Sequence, residues 1–419
     1  MLVSVEGRHP LNGVYRPGGN PNAALALMAA ALLTEETTRL HNVPHTLITQ
    51  ALAEIADGLG AQIEWSDGEM TLTAAQIKRR VLSQDDTELS SGALLLAAPI
   101  LVRRQHVRLE IDFSLNRIRT HLEALRDLGI DVVTSGSAVE LNISTWEKKD
   151  VLLTQASVTA TSLIMMLAAR LGKQTTIHNA ASEPHVQELA HLLTAMGATI
   201  EGIGSNILTV YGTETLKGVE ASIGPNHIEV GSIAAMTALC GGRVQIEGVR
   251  RADLRMIGRI FRRFGIHLDM DESNVYVPHH DGLSISNREE DVDASIESAP
   301  WPGFPSDLVA VATVLATQAV GTSLIHEKMF ANRLLFVDKL KAMGAQIVLC
   351  DPHRAIVVGP SRLQGLYMDT PDIRAGLGML AAALVADGVT QIDNSQVLSH
   401  AFGDVLSKLA ALGAQITAA

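Results

Sequence analysis

Hydrophobic and polar positions along this chain fall into a pattern that returns about every 70 residues. An apolar residue, a glycine and a short β-prone run occur together six times. The copies are Leu59-Gly60-Ala61-Gln62-Ile63, Leu128-Gly129-Ile130-Asp131-Val132, Met196-Gly197-Ala198-Thr199-Ile200, Phe264-Gly265-Ile266-His267-Leu268, Met343-Gly344-Ala345-Gln346-Ile347 and Leu412-Gly413-Ala414-Gln415-Ile416. Their glycines advance by 69, 68, 68, 79 and 69 residues. A glycine in this setting closes a helix in the left-handed conformation, and a strand follows. Upstream of each lies an amphipathic helix, as in Leu47-Ile48, Leu52, Ile55 and Leu59 with their i, i+4 spacing. Before that comes a short strand ending in a polar turn: Leu40-His41-Asn42, Ile177-His178-Asn179, Ile392-Asp393-Asn394. Earlier still is a helix apolar on nearly every side, at 23–33, 93–102, 162–171, 233–240, 308–318 and 375–386. Such a helix belongs inside a core. Each unit therefore reads helix, strand, helix, strand and hairpin strand. The one longer step contains a polar insertion, Glu289-Glu290-Asp291-Val292-Asp293, expected to be a surface loop.

The length, 419 residues, accommodates two domains of three such units. Units of this size are too long for a helical solenoid, whose repeats run about 20–47 residues. With 33 Lys and Arg against 45 Asp and Glu the net charge is −12, and aromatic residues make up 3%. An acidic chain with so few stacking groups is a poor nucleic-acid binder. Cys240 and Cys350 are the two cysteines; both are expected to pack, and no disulfide framework follows from them. No apolar run approaches the ~20 residues that span a bilayer, and the start carries no leader pattern, so a cytoplasmic protein without a membrane partner is expected. His279-His280 lacks partnered metal-ligand spacing, and no cofactor motif is present. Arg250, Arg251, Arg255, Arg259, Arg262 and Arg263 crowd one helix above an apolar face of Leu254, Ile257, Ile260, Phe261 and Phe264. A solvated basic face is the expectation, with an anion or partner patch as the alternative.

Six further stretches carry a resemblance: Gly18-Gly19-Asn20-Pro21-Asn22-Ala23-Ala24-Leu25, Asn42-Val43-Pro44, Asn179-Ala180-Ala181-Ser182-Glu183-Pro184, Pro302-Gly303-Phe304-Pro305-Ser306-Asp307, Phe330-Ala331-Asn332-Arg333 and Asp372-Ile373-Arg374-Ala375. In this order and in phase with the repeat, the chain resembles the enolpyruvyl transferases. It is nearest to the branch that acts on UDP-N-acetylglucosamine in bacterial peptidoglycan synthesis. The resemblance implies an α/β fold, a two-domain inside-out α/β barrel of six units, three per domain. It places one domain at 22–225 and the other at 1–21 plus 226–419, with a double hinge near 21–22 and 225–226. Substrate is held between the domains in this family.

The family reaction adds a sugar 3-hydroxyl to C2 of phosphoenolpyruvate, after which phosphate leaves. It needs a carboxylate for the hydroxyl proton, an acid for the enol carbon, and cations for phosphate and carboxylate. By resemblance Asp307 is the carboxylate, Asn22 contacts the sugar, and Arg333, Arg374 and Asp372 lie in the active site. A helix N-cap is the alternative for Asp307, and an ordinary ion pair for the two arginines. Several family positions are not retained. Pro21 stands where a lysine precedes the asparagine. The expected Pro-Gly-Gly-Cys loop ending in arginine reads Leu109-Glu110-Ile111-Asp112-Phe113-Ser114-Leu115-Asn116-Arg117. Asp112 is the candidate replacement for the cysteine, with a turn cap as its alternative; Arg117 or Arg119 is the candidate for the loop arginine. His400 stands for an arginine before the last helix, Ser91 for another, and Asn226-His227 for an Asp-Arg pair.

These losses gather on the side that handles the anionic donor, where charge-assisted bonds matter most. The expectation is therefore a transferase of this family, with a UDP-sugar as small-molecule ligand and poor use of phosphoenolpyruvate. The alternatives are a catalytically degenerate homologue that binds a nucleotide sugar or a protein partner without turnover, or a relative with another donor or acceptor.

Overall fold

The computed structural model describes residues 1–89, 91–111, 113–285, 295–369 and 373–418. The acidic insertion at 289–293 lies outside these residues, as do Asp112 and Asp372. The chain forms two bodies, Met1–Gly18 with Pro225–Ala419, and Gly19–Gly224, each with its own hydrophobic core.

Buried apolar helices organise both cores. We number them α1 (Pro21–Ala31), α2 (Ala97–Arg104), α3 (Val158–Leu171), α4 (His227–Cys240), α5 (Val309–Gln318) and α6 (Ile373–Val385). The first three belong to Gly19–Gly224 and the last three to the other body. Two of these helices are shorter than their apolar runs. Residues Ser91–Leu96 form a 3-10 turn, and α2 begins only at Ala97. Pro99 is the physical reason: without an N–H it fits the first turn of an α-helix, and its ring would clash with a helical carbonyl further upstream. Likewise Ser306–Leu308 is a 3-10 turn ahead of α5.

Among the described residues the strands form six sheets, three in each body, and all share one pairing order. A central strand pairs in parallel with one outer strand and antiparallel with the inner strand of a hairpin. Thr38–His41, for example, lies between Glu220–Ser222, parallel to it, and Glu69–Thr73, which is antiparallel and continues to Gln62–Ser66. In the sheet centred on Val389–Asp393 the inner position is filled by Val3–Glu6, flanked by Gln415–Ala418. The chain start thereby completes the body formed by the C-terminal half.

The amphipathic helix expected from the spacing of Leu47 to Leu59 occupies Leu47–Leu59. Thr46 caps it reciprocally with Thr49, and Gly60 ends it at φ 107°. All six repeat glycines have positive φ, between 77° and 121°. The basic helix runs Arg255–Arg263 and buries Ile257, Ile260 and Phe261, with Leu254 and Phe264 buried on either side. Among the described residues no helix is long and apolar enough to cross a membrane.

Candidate active site

In the body 225–419, strand Ala319–His326 delivers its next residue, Glu327, into the interior with no exposed surface. Burial of a carboxylate is costly unless donors surround it. Here Oε1 accepts from Ser298 Oγ at 2.8 Å and from the backbone N–H groups of Met329 at 2.8 Å and Phe330 at 3.1 Å. Oε2 accepts from Ser306 Oγ at 2.6 Å. This one side chain thus ties together the segments that carry the next two residues. Asp307 follows Ser306 in the 3-10 turn, and Arg333 follows Phe330 by three positions. Arg333 donates from Nη1 to Asp307 Oδ1 at 2.8 Å, with its guanidinium carbon 4.2 Å from the centre of the Phe330 ring. Its side chain is only 11% exposed, whereas that of Asp307 is 42% exposed. Asp307 caps neither the 3-10 turn nor α5, so the N-cap alternative does not hold.

At the start of α4, Asn226 caps the helix through its side chain and His227 opens the first turn. The His227 ring is buried, packed edge-on against Trp301 with centroids 5.5 Å apart. Burial pushes its pKa down to about 4, opposed by the negative charge of Asp307. His227 is therefore a neutral imidazole near the Asp307 carboxylate. Two residues on, Glu229 is buried; it accepts from Tyr15 Oη at 2.6 Å and lies 3.9 Å from Lys408 Nζ. The backbone N–H of Gly18, the last residue of its segment in this body, also points to Glu229. Burial raises the Glu229 pKa, against the opposing pull of Lys408, Tyr15 and Gly18. Burial, and then Glu229 itself, raise that of Tyr15.

In the body 19–224, Asn20 caps α1 by accepting from the N–H groups of Asn22 and Ala23, and Pro21 occupies the first helical position, buried. Asn22 is exposed on that first turn. Arg117 is exposed beside the Phe113 ring, at 5.5 Å, on the 3-10 turn Leu115–Ile118 capped by Ser114. Its rival Arg119 is already paired with Glu123 at 2.6 Å. His400 is half-buried on helix Gln396–Phe402. Arg374 lies in the first turn of α6, but its side chain, like that of Ser91, lies outside the described part.

Of the residues expected in the site, Asp307 and Arg333 are in direct contact. Two relevant groups were not singled out from the sequence, Glu327 and Trp301. The available signal for Glu327 was a carboxylate closing an otherwise β-prone run, three residues before Phe330. The two cysteines divide. Cys240 lies against the Leu384 carbonyl at 3.8 Å, and burial pushes its thiol up to about 12. Cys350 is exposed on strand Gln346–Asp351, which corrects the expectation that it packs: its side of that edge hairpin faces solvent. Among the described residues no group of three or more His, Cys, Asp or Glu is placed to hold a metal ion.

A sequence profile of EPSP synthase (3-phosphoshikimate 1-carboxyvinyltransferase) matches residues 5–409. The UDP-N-acetylglucosamine 1-carboxyvinyltransferase of Bradyrhizobium diazoefficiens is 41% identical over 98% of this chain and 96% of the relative. The protein of that name from Borreliella burgdorferi is 38% identical over 98% and 97%. Among solved structures, the enolpyruvyl transferase NikO from Streptomyces tendae superposes with a TM-score of 0.89 at 23% identity, covering 99% of this chain and 98% of the other. EPSP synthase from Acinetobacter baumannii superposes with a TM-score of 0.74 at 17% identity, covering 99% of each chain. With a buried carboxylate cradle presenting an aspartate–arginine pair, a repeated α/β fold shared with those structures, and matches along nearly its whole length, the chain belongs to the enolpyruvyl (1-carboxyvinyl) transferase family.

Proposed function

We propose that this protein binds a UDP-sugar with the sugar 3-hydroxyl directed to Asp307, and that it transfers enolpyruvyl from phosphoenolpyruvate poorly or not at all. The six sheets and six buried helices are, on this reading, three units per domain of an inside-out α/β barrel, with hinges where the chain passes between the two bodies. Asp307 takes the hydroxyl proton, and Arg333 holds that carboxylate in place. Asn22 contacts the sugar, and Arg333, Arg117, His400 and Asp372 complete the binding set, with Arg374 and Asp112 joining Asp307 as the catalytic candidates.

The observation that carries the reading is the state of the cations. A donor with roughly three negative charges needs positive groups free to meet it. Arg333 already meets Asp307 at 2.8 Å. Pro21 supplies no charge where a lysine is expected, and His227 is held neutral by burial. The loss of one charge-assisted contact costs ~2–4 kcal/mol of transition-state stabilisation, a factor on the order of 10²–10³ in rate. The same loss favours, as a second reading, a homologue that binds without turnover.

Calorimetric titration with UDP-N-acetylglucosamine tests the acceptor side. Wild type should bind, and Asp307→Asn should bind about tenfold more weakly, as expected for losing a hydrogen bond to a charged group. Equal affinities for the two proteins would remove Asp307 from the site.

A further inference from the structure

We infer that Glu327 is the positioning residue of the Asp307–Arg333 pair and acts on Asp307 through the hydroxyl of Ser306. The inference rests on the reading of Asp307 as the acceptor-side carboxylate, but its geometry stands apart from that reading. Glu327 is fully buried. Among the described residues its carboxyl oxygens accept from neutral donors: Ser298 Oγ, Ser306 Oγ and the N–H groups of Met329 and Phe330. For stability alone, an apolar residue of similar volume often serves a buried site as well as an ion does. What an apolar residue cannot do is orient two separate segments at once.

Glu327 does so with each oxygen. Oε2 fixes Ser306, whose neighbour is Asp307. Oε1 fixes the N–H of Phe330, whose ring lies under the Arg333 guanidinium. The cradle is itself braced from the other side. Ser298 Oγ accepts from the Lys328 N–H at 2.9 Å, and the Glu327 N–H and C=O meet the backbone carbonyl and the Nδ1 of His353, each at 2.8 Å. The arrangement fixes the backbone on both sides of the pair, so the 2.8 Å contact between Asp307 and Arg333 is set before any ligand arrives. Such support from behind is what holds a reacting group to within about half an ångström.

Truncating Glu327 would strand two backbone donors and damage the fold, so the decisive variant is Ser306→Ala. It removes one hydroxyl and leaves the remaining bonds of the carboxylate in place. Ser306→Thr keeps the hydroxyl and serves as the rescue. Each is examined by crystal structure, by thermal melting, and by titration with UDP-N-acetylglucosamine. We expect the melting temperature of Ser306→Ala to fall by no more than about 12 °C, the cost of losing one hydrogen bond to a buried carboxylate. We also expect its Asp307–Arg333 contact to open beyond about 3.5 Å, its affinity to fall about five- to tenfold, and Ser306→Thr to restore both. A pair still closed in Ser306→Ala overturns the inference, whatever happens to affinity, because Glu327 would then not set it. A melting temperature lowered by much more than about 12 °C also overturns it, since the bond would then hold the fold rather than the pair. If wild type binds no UDP-sugar but the pair opens in Ser306→Ala and closes in Ser306→Thr, the inference stands and the functional reading fails.

Discussion

Replacing Gly60 with valine should destabilise the body Gly19–Gly224 through two separable effects. Gly60 ends helix Leu47–Leu59 at φ 107° and ψ 12°. A residue with a β-carbon loses about 1–2 kcal/mol in the left-handed region, and β-branching makes this worse. The second effect is contact. A β-carbon at Gly60 would stand 2.8 Å from the Gln76 carbonyl oxygen and 2.9 Å from Lys78 Cγ. The carbonyl belongs to backbone fixed by the bond from Lys78 N–H to Leu59 O, at 2.7 Å, so it cannot simply swing away. Overlap of this kind costs ~1–3 kcal/mol. Together the two give about 2–5 kcal/mol, and at ~2–4 °C per kcal/mol for a body of this size the melting temperature should fall by about 4–20 °C. Gly136 supplies the control in the same body, with φ 60° and nothing within 4 Å of its β-carbon position. Gly136→Val should show the conformational part alone, about 2–8 °C. Differential scanning calorimetry of both variants measures the difference. Equal shifts would refute the overlap argument, and an unchanged melting temperature in Gly60→Val would refute the capping role altogether.

Three further outcomes are expected. With its thiol pKa pushed up to about 12, Cys240 should resist alkylation at pH 8 while exposed Cys350 reacts, so intact-mass analysis should show one rapid adduct; rapid labelling of both would contradict the burial. Fosfomycin, which forms a thiol adduct with the family's loop cysteine, should leave the mass unchanged, and an adduct on Cys240 or Cys350 would contradict this. Burial lowers the folded-state pKa of His121 and of His227 to about 4. Between pH 6.5 and 4 the unfolded chain therefore binds more protons, and stability, complete above pH 6.5, should fall toward pH 4 by up to ~1.4 kcal/mol per pH unit for each histidine. Urea unfolding at several pH values checks this, and His227→Gln should flatten the slope in its own body; a slope unchanged by that substitution would contradict the assignment.

What could be read from the chain beforehand was local or periodic. The helix from Leu47 to Leu59, its cap at Gly60 and the burial of the all-apolar segments depend on residues within a few turns of one another, and the repeat displayed them six times. The 3-10 turn before α2 was missed because an apolar run gives no warning that Pro99 forbids helix upstream of its own first turn. The site is harder to read because its parts are distant in sequence. Ser298, Ser306, Met329 and Phe330 meet only at Glu327, and nothing in their spacing announces one shared carboxylate. A helix cap is a real alternative for Asp307 in the sequence, and only the turn Ser306–Leu308 removes it. The solvent-facing position of Cys350 depended on which side of a hairpin faces out, and alternation alone did not decide it.

Phosphate release with phosphoenolpyruvate and UDP-N-acetylglucosamine together, measured beside calorimetric binding of the UDP-sugar alone, tests the central claim most directly. The account predicts binding of the sugar with turnover at least a hundredfold below ~1–10 s⁻¹, an ordinary enzyme rate. Turnover within that ordinary range would contradict it and would assign the donor chemistry to Asp112, Arg117 and His400 after all.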